Sequence, residues 1–521
     1  MLVANRGEIA LRIIRACDEL GIETVAVYSD ADRDAIHVRA ADVAVRIGPP
    51  PAAESYLRID AIVDAARSTG AEAVHPGYGF LAERAAFASA VTEAGIVFVG
   101  PSAAAIDALG DKLHARRLAQ SVGVDAVPGT LQPAPVDRPD AVAGIVAEAR
   151  RIGFPLLVKA AAGGGGRGMR RVVAESELPA ALASGSHEAA AAFGDGAVYL
   201  EREIVPARHV EVQLLGDSTG RVVALGERDC SLQRRHQKLI EEAPAPGLSR
   251  ADRAHVHDLA VRVASAAGLT NAATAEFLLA PDGRFYFLEV NTRLQVEHGV
   301  TELVSGVDIV REQLCIAAGR PLSAVAIAAA DRAAMPATHA IEVRLSAEDP
   351  GLDFAPTPGR ITRWVMPSGP GVRVDTAIET GSRVPPDYDN LIAKVMVHAA
   401  DRDLAIDRLR RALDEVEVAG VQTTLPFDRF AVRHAGFRAA RLSTGWVGEE
   451  WDGPAHRAAA GRVALVAAAT AALDGPGFGP ADAPSPSDGA EVSGGTARGP
   501  MALDGQWHRL GLEAGVDRWP R

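Results

Sequence analysis

A run of glycines beside basic residues is the strongest chemical signal in this sequence. Residues 154–169 read Phe-Pro-Leu-Leu-Val-Lys-Ala-Ala-Ala-Gly-Gly-Gly-Gly-Arg-Gly-Met, with Lys159 before the glycines and Arg167 among them. The glycines fit G-x-G-x-x-G, but that dinucleotide fingerprint requires a helix directly afterwards, whereas residues 169–173 predict a strand. We therefore expect a β-hairpin whose backbone N–H groups fold over a polyphosphate. A plain glycine-rich linker would not explain the apolar strand that leads into the run.

Two glutamates are expected to face each other across a second hairpin. Residues 275–291 alternate apolar and polar side chains on both sides of a Pro-Asp-Gly turn at 281–283. Folding about that turn places Glu276 nearly opposite Glu289, with Asn291 on the same face. Opposed carboxylates repel unless a cation lies between them, and oxygen ligands suit Mg²⁺ or Mn²⁺ bridging to nucleotide phosphates. Two solvated surface carboxylates are the alternative, which the neighbouring phenylalanines disfavour.

Two further segments offer an anion site and a base. Residues 291–298 read Asn-Thr-Arg-Leu-Gln-Val-Glu-His, which combines anion-binding side chains with a carboxylate. Residues 227–238 read Glu-Arg-Asp-Cys-Ser-Leu-Gln-Arg-Arg-His-Gln-Lys, which is dense in cationic and amide groups. Such a charge run taken alone is as often a solvated face, but it is also the local positive site that an anionic substrate needs.

Composition limits the classes of protein to which these segments can belong. The chain has 521 residues, 48% of them apolar and 23% charged, which favours three or four globular domains. Its net charge of −13 disfavours nucleic-acid binding and anionic membrane surfaces. Three cysteines without C-x-x-C spacing exclude a disulfide scaffold and a thiolate zinc site. No apolar stretch is long enough to span a bilayer, so the cytoplasm is the expected location.

The elements that must position these residues change in character along the chain. Strand–helix alternation in the first 110 residues predicts a parallel sheet with crossover helices. Longer strands in hairpins follow, and a third unit begins near residue 336. That unit has predicted strands at 339–345, 359–365 and 392–398 and a helix at 401–416. An alanine-rich helix near 458–473 is interpreted as core packing, and residues 475–500 read as a flexible linker.

Taken together, these segments resemble the biotin carboxylase family of ATP-grasp enzymes. The resemblance covers about residues 2–446, and it also rests on five shorter motifs: Ala4–Glu8, His75–Leu81, Gly110–Lys112, Ala340–Arg344 and Tyr388–Asp389. It implies an α/β and α+β architecture. The implied units are a Rossmann-like N-terminal domain (1–110), an ATP-grasp domain (111–335) with a mobile glycine-rich lid (about 128–205), an α+β C-terminal domain (336–446), and an incomplete bridging-domain-like segment with a flexible tail (447–521).

The resemblance also implies a role for individual residues. The ATP-binding residues would be Lys112, Lys159, Gly165, Gly166, Glu201, Ile204, His209, Gln233 and His236. The metal ligands would be Glu276, Glu289 and Asn291, and the bicarbonate site Lys238, Arg293, Gln295 and Val296. The catalytic residues would be Lys238, Arg293, Glu297 as general base and Arg344, which would hold the ureido oxygen of biotin.

The implied reaction is ATP- and bicarbonate-dependent carboxylation of biotin through carboxyphosphate, catalysed by an ADP-forming C–N ligase. The implied cofactors are ATP, Mg²⁺ (or Mn²⁺) and carrier-bound biotin. The implied partners are a second copy of the chain in a homodimer or larger complex, a biotin carboxyl carrier protein or domain, and a carboxyltransferase subunit. Two alternatives stay open: another ATP-grasp ligase that forms an acyl phosphate, and a non-catalytic scaffold subunit.

The sequence departs from the family pattern at a few positions, and it has no biotin-acceptor motif. The departures are Arg84, Ala162, Arg202 and Gly299. No methionine neighbours a lysine, and no lysine follows Lys394. We therefore expect that this chain is not itself biotinylated and acts on biotin presented by another polypeptide, or that it is a truncated form of a longer chain.

Overall fold

The computed structural model describes residues 1–134, 139–161 and 169–473, without the side chains of 139–143, 192–193 and 472–473. The predicted glycine turn, including Ala162, Gly165 and Gly166, and the predicted linker and tail lie outside the described residues.

Short apolar strands alternate with helices in the N-terminal unit, as predicted. Five strands form a parallel sheet in the order β3-β2-β1-β4-β5, with β1 at its centre. The strands are β1 (Leu2–Val3), β2 (Val25–Ser29), β3 (Val43–Gly48), β4 (Ala73–His75) and β5 (Val97–Phe98). The helices up to the next unit are α1 (Gly7–Glu19), α2 (Ile36–Ala40), α3 (Ile59–Thr69), α4 (Ala85–Glu93), α5 (Ala103–Gly110) and α6 (Lys112–Ser121).

Two motifs of the N-terminal unit interlock through one buried side chain. The Asn5 amide Nδ2 donates to the carbonyl oxygens of Pro76 (2.7 Å) and Tyr78 (2.8 Å). Gly77 lies between them at φ +63°, and a Cβ there would lie 2.8 Å from Asn5 Nδ2, so glycine is required on both counts. The start of α1 is thereby tied to the loop after β4.

A small three-stranded sheet carries the strands on the two sides of the glycine run. Its strands pair antiparallel in the order β7-β6-β8, with Leu156 opposite Val172, so the predicted strands do form a hairpin pair. Its elements are α7 (Pro139–Ile152), β6 (Leu156–Ala160), β7 (Arg170–Val172), α8 (Leu178–Phe193) and β8 (Val198–Arg202).

The remaining elements build the centre and the C-terminal unit. In the centre they are β9 (Arg208–Gly216), β10 (Val222–Arg234), β11 (Gln237–Ala243), α9 (Arg250–Ala266), β12 (Asn271–Leu279), β13 (Phe285–Asn291), α10 (His298–Ser305), α11 (Ile309–Ala317) and α12 (Ala324–Arg332). In the C-terminal unit they are β14 (His339–Ser346), β15 (Glu348–Asp349), β16 (Ala355–Pro356), β17 (Gly359–Arg360), β18 (Arg363–Val365), β19 (Val372–Thr376), β20 (Arg383–Val384), β21 (Leu391–Ala399), α13 (Arg402–Glu415), β22 (Glu417–Ala419), α14 (Leu425–Arg433), α15 (Ala435–Arg438), α16 (Trp446–Glu450) and α17 (Gly453–Leu473).

One antiparallel sheet of eight strands runs through both of these units. Its order is β13-β12-β9-β10-β11-β14-β21-β19. It crosses the boundary predicted near residue 336, where Ile240–Ala243 of β11 pairs with Ala340–Val343 of β14. Side chains from both units can therefore meet on the same sheet.

The prediction of one continuous strand at 359–365 is wrong. Residues 359–360 form β17, which pairs with β20, whereas residues 363–365 form β18, which pairs with β22. The chain changes partner between the two pairs, and only long-range pairing reveals such a change.

The alanine-rich helix is not core packing. Only the start of α17 is anchored: the Trp451 indole N–H donates to the Pro350 carbonyl oxygen (3.0 Å) and Arg457 pairs with Asp349. Further along, Leu465 is 73% exposed and Val466 66% exposed. Apolar composition misled the prediction, because alanines tolerate exposure and favour the helix by intrinsic propensity. Among the described residues, no helix has the length and hydropathy to cross a membrane.

Candidate active site

The two carboxylates of the second hairpin face each other as the turn predicts. Glu276 on β12 is the Cα partner of Glu289 on β13, and Asn291 lies opposite Thr274 two residue pairs along the ladder. The register shifts directly after Glu276, so a β-bulge lies next to the residues predicted to hold the metal. The turn brings the two strands together, and the bulge sets the register of the Glu276–Glu289 pair.

Each of these carboxylates already has a cationic partner. Glu276 is buried; its Oε1 lies 2.9 Å from Lys238 Nζ and its Oε2 2.9 Å from His209 Nε2. Burial opposes ionisation, but Lys238 and His209 hold the pKa of Glu276 below its usual value. Glu289 lies 3.4 Å from Lys112 Nζ, and this carboxylate raises the pKa of Lys112. The repulsion expected between opposed carboxylates is thus relieved by lysines.

The donor set fits the predicted divalent cation. Glu276 and Glu289 supply carboxylate oxygens and Asn291 an amide oxygen, which is the oxygen-only chemistry that Mg²⁺ prefers. Glu289 is 31% exposed, so its carboxylate is open to a bound ligand on one side, and its lysine partner at 3.4 Å is not tightly hydrogen-bonded. These residues suit Mg²⁺ held together with nucleotide phosphates.

A fully buried carboxylate lies at the centre of the site. Glu297 follows β13 in the loop that leads to α10, and its exposed fraction is 0%. Its Oε1 accepts from Lys238 Nζ (2.8 Å) and its Oε2 from Arg344 Nη2 (2.8 Å). Burial raises the pKa of this group, but Lys238, Arg344 and Arg228 outweigh burial and hold it well below its usual value. Glu297 is therefore an ionised carboxylate at neutral pH.

Lys238 joins three carboxylates at one point. Besides Glu276 and Glu297, its ammonium group donates to Glu211 on β9. Glu211 is in turn held by the fully buried Arg228, which also donates to Thr301 Oγ1 (2.8 Å). Two groups of potential metal ligands contain Glu211, and in both of them this carboxylate is already paired with Lys238.

Arg344 connects Glu297 to a neighbouring carboxyl group. Its Nε donates to Glu241 Oε1 (2.6 Å) while its Nη2 holds Glu297. Burial raises the pKa of Glu241 to about 7, despite Arg344, with Glu297 adding repulsion. Glu342 is the Cα partner of Glu241 on β14, and burial raises its pKa well above the usual value.

Three of the residues predicted for the bicarbonate site, Arg293, Gln295 and Val296, lie along one loop, whereas Lys238 lies on β11. Arg293 donates through Nη1 to Gln295 Oε1 (3.0 Å), and its Nε lies 2.9 Å from Glu83 Oε2. Gln295 is buried, and the Val296 carbonyl oxygen accepts from Lys394 Nζ (2.9 Å). The loop therefore carries a guanidinium, an amide and a backbone segment beside Glu297.

Two of the residues predicted for the nucleotide, Lys159 and Glu201, meet on the small sheet. Lys159 on β6 donates to Glu201 on β8, and Arg116 on α6 donates to the other oxygen of the same carboxylate. Lys112 begins α6, which Asp111 caps by accepting from the His114 N–H. Two lysines thus reach the site from different elements, as an electrostatic clamp on phosphates requires.

The remaining nucleotide-site candidates occupy the neighbouring strands. Gln233 Nε2 lies 3.3 Å from His209 Nδ1, both side chains buried. His236 is exposed at the tip between β10 and β11, at φ +66°. Ile204 packs beside Val127 and Tyr286.

Several residues of the cluster were missed by sequence reasoning. Arg116 lies four residues after Lys112 on one helix, and Glu211 two residues after His209 on one strand, so each spacing could have indicated a shared face. Arg228 lies within the charged segment 227–238 but had no predicted role, and no local pattern pointed to Glu83, Glu241 or Lys394.

Three family models match the chain in succession. The biotin carboxylase N-terminal domain matches residues 1–106, the carbamoyl-phosphate synthase L chain ATP-binding domain residues 111–325, and the biotin carboxylase C-terminal domain residues 342–449. A biotin carboxylase of Pseudomonas aeruginosa is 51% identical over 437 residues, which are 84% of this chain and 95% of the relative. The chain belongs to the biotin carboxylase family. The predicted fold class and ligase class are thereby confirmed.

Other members of the family are similar over nearly the same span. A biotin carboxylase of Nostoc is 47% identical, over 86% of this chain and 98% of the relative. A biotin carboxylase–beta-gamma-ATP complex from Campylobacter jejuni has a TM-score of 0.82 at 42% identity and covers 86% of this chain and 98% of that one. The biotin carboxylase domain of a Hydrogenobacter thermophilus 2-oxoglutarate carboxylase, crystallised with MgADP, ADP and bicarbonate, has a TM-score of 0.81 at 44% identity, covering 86% and 96%.

Proposed function

We propose that this chain carboxylates biotin in an ATP- and bicarbonate-dependent reaction that passes through carboxyphosphate. The observation that carries the proposal is Glu297, a buried and ionised carboxylate held between Lys238 and Arg344. A base must be ionised before it accepts a proton, and this one lies beside the loop of Arg293 and Gln295. The Hydrogenobacter relative, which holds both MgADP and bicarbonate, supports the same substrates here.

In the first step Glu297 accepts the proton of bicarbonate, whose oxygen then attacks the γ-phosphorus of ATP. Lys238, Arg293, Gln295 and Val296 would bind the bicarbonate. Lys238 and Arg293 supply the positive charge that holds an anion beside a carboxylate, and the anion would replace part of the present ion pairing. The products are carboxyphosphate and ADP.

The nucleotide is held on the other side of Glu276. Lys112 and Lys159 would bind its phosphates, together with the backbone of Gly165 and Gly166, and Glu201, Ile204, His209, Gln233 and His236 would contact the rest of the nucleotide. Glu276, Glu289 and Asn291 would hold Mg²⁺, which supplies charge neutralisation for the phosphates. The lysines act on the same charge from the protein side, because phosphoryl transfer depends on positioning and electrostatics.

In the second step the carboxyl group passes from carboxyphosphate to N1′ of biotin, as the C–O bond to the phosphate breaks and the departing phosphate takes the N1′ proton. Arg344 would stabilise the oxyanion that develops on the ureido oxygen of biotin, since its guanidinium is always charged and already oriented by Glu241. The same side chain also holds Glu297, so it connects the two half-reactions.

The alternatives fit the chain less well. A ligase making carbamoyl phosphate would share the ATP-binding model, but the models on both sides of it are specific to biotin carboxylases. A scaffold subunit would have no use for an ionised base beside a cationic loop.

A carboxylation assay with free biotin and labelled bicarbonate tests the proposal. Biotin should stimulate bicarbonate-dependent ATP cleavage, and label should appear on biotin. Label transfer should fall more than ATP cleavage in Arg344→Ala, because the proposed contact of Arg344 is to biotin. ATP cleavage that is indifferent to biotin would favour the carbamoyl phosphate alternative, and absence of any ATP cleavage would favour the scaffold.

We also propose the assembly in which the chain works. Relatives include subunits of a pyruvate carboxylase and of a biotin-dependent acyl-coenzyme A carboxylase, which supports a carboxylase complex. The proposed partners are a second copy of this chain, a biotin carboxyl carrier protein and a carboxyltransferase subunit. The three free cysteines, two of them buried, suit the reducing cytoplasm as its location.

A further inference from the structure

Lysine is rare in this chain, and its positions are informative. The 54 cationic residues include only four lysines, at 112, 159, 238 and 394, and all the others are arginines. Three of the four contact the carboxylates of the candidate site. The fourth, Lys394, belongs to no step of the proposed reaction.

Lys394 is fully buried on β21, with an exposed fraction of 0%. Its ammonium group donates to the Val296 carbonyl oxygen at 2.9 Å. The same nitrogen lies 3.2 Å from Glu8 Oε1 and 3.7 Å from Asp375 Oδ2. One carbonyl and two carboxylates thus surround an ammonium that has three hydrogens to donate.

The carbonyl that Lys394 holds belongs to the base-bearing peptide. The Val296 C=O and the Glu297 N–H share one planar peptide unit, so fixing the oxygen also fixes the backbone at Glu297. In the sheet, Lys394 is the Cα partner of Arg344. These two neighbouring cations therefore bind adjacent parts of one loop. Arg344 binds the Glu297 carboxylate, and Lys394 binds the backbone carbonyl oxygen of the preceding residue.

The contacts of Lys394 continue into the N-terminal unit. Glu8 lies in the first turn of α1, and it accepts a hydrogen bond from the Tyr78 hydroxyl. Both residues belong to the motifs that Asn5 interlocks, for which the proposed reaction has no role. The contacts from Tyr78 to Glu8 and from Glu8 to Lys394 thereby connect the loop after β4 to the loop that carries Glu297.

We propose that Lys394 is a positioning residue for the bicarbonate site, which sets the Val296–Glu297 peptide and thereby the placement of the base relative to bicarbonate. The inference rests on the proposed function. It differs from a purely structural role, in which Lys394 would only neutralise Glu8 and Asp375. The two roles separate in a variant that loses the contact to the Val296 carbonyl oxygen but leaves no unpaired carboxylate at Glu8.

Lys394→Met removes the ammonium and keeps most of the side-chain volume. We expect the KM for bicarbonate in ATP cleavage to rise about tenfold, the effect of losing one charged hydrogen bond, while the KM for ATP changes less than about twofold. Glu8→Gln combined with Lys394→Met removes the carboxylate that the first change leaves unpaired. This double variant should regain much of the lost thermal stability and still show the raised KM for bicarbonate.

Arg429→Met is the matched control, because Arg429 is also buried and donates to backbone carbonyls, those of Leu413 and Val416. It should lower stability without changing the KM for bicarbonate. A wild-type bicarbonate KM in the double variant, or in Lys394→Met itself, would overturn the positioning role. If Lys394→Met does not fold, the double variant decides alone. A wild-type chain without bicarbonate-dependent ATP cleavage would overturn the proposed function, and this inference with it.

Discussion

Buried charge dominates the candidate site at the scale of single residues. Glu211, Glu241 and Glu297 are all fully buried, and each is paired with an arginine or a lysine. Burying an ion without a partner is costly, so these pairs hold one another in place. A substrate anion that enters must exchange one of these pairings for its own, and a site of this kind discriminates between ligands by charge.

Glu297→Gln should separate nucleotide binding from chemistry. The amide keeps the shape but cannot accept the proton, so bicarbonate-dependent ATP cleavage should fall about 100-fold or more while ATP binding is retained. Steady-state kinetics and nucleotide binding by calorimetry measure the two effects. Glu312→Gln, at a buried carboxylate that accepts from the Ser323 N–H, is the control and should leave turnover unchanged. Turnover near the wild-type rate in Glu297→Gln would contradict the role of Glu297 as the general base.

Glu241→Gln should change how stability depends on pH. Burial raises the pKa of Glu241 to about 7, so the folded chain gains stability from its protonated form. That stability is complete below the ordinary carboxyl pKa and is lost as pH rises through 7. The amide does not titrate, so the Tm of the variant minus that of the wild type should increase from pH 5 to pH 8.5, by a few degrees.

Glu242→Gln is the matched control for this experiment, on the same strand. His339 and Arg402 overcome burial and lower the pKa of Glu242 to about 2. Its stabilisation is present above the ordinary carboxyl pKa and is lost only as pH falls towards 2, so the Tm difference should be constant between pH 5 and pH 8.5. A constant difference in Glu241→Gln as well would contradict the raised pKa.

At the scale of elements, the packing of α10 against β21 explains one departure from the family pattern. A Cβ built at Gly299, in the first turn of α10, would lie 2.3 Å from the sulfur of Met396. Met396 is fully buried on β21, so it has little room to move. The methionine therefore fills the space that a side chain at position 299 would need.

Gly299→Ala should lower the free energy of unfolding by about 1–3 kcal/mol through overpacking. The double variant with Met396→Ala should be more stable than the sum of the single effects predicts, since the smaller residue relieves the clash. Urea unfolding followed by tryptophan fluorescence measures both. Gly461→Ala, at a helical glycine with nothing within 4 Å of the added Cβ, should instead stabilise slightly. Additive effects at 299 and 396 would contradict the packing explanation.

At the scale of the whole molecule, the eight-stranded sheet brings together residues that the predicted domain boundary places in different units. The site takes Glu276 from β12, Lys238 from β11 and Arg344 from β14, and these strands lie on both sides of the predicted boundary near residue 336. Glu297, the proposed base, and Arg344, the proposed biotin contact, are hydrogen-bonded to each other beside this sheet.

The chain should carry no covalent biotin. Its four lysines lie within the site or are buried beside it, and none neighbours a methionine. An avidin blot of the purified chain should be negative, while the same sample carboxylates free biotin or an added carrier. Biotin found on any of the four lysines by mass spectrometry would contradict trans presentation, and a biotinylated carrier protein serves as the positive control.

Local sequence patterns were enough to predict part of the fold of this protein. Strand–helix alternation predicted the parallel sheet, and folding about the turn at 281–283 predicted Glu276 opposite Glu289, although the strands reach that pairing only through the bulge after Glu276. The family resemblance carried the fold and enzyme class, and the comparisons confirm both. The residue roles stay predictions, although the structure brings Lys238, Glu297 and Arg344 together.

Only the tertiary structure decided which distant groups meet. Arg293 pairs with Glu83, and Lys394 reaches the Val296 carbonyl, across separations of about 210 and 98 residues that no periodicity encodes. The alanine-rich α17 also shows that local sequence does not determine burial, because its composition predicted a buried helix and the helix is exposed. Sequence patterns report the conformational preferences of neighbouring residues, whereas burial and ion pairing depend on which surfaces the whole chain brings into contact.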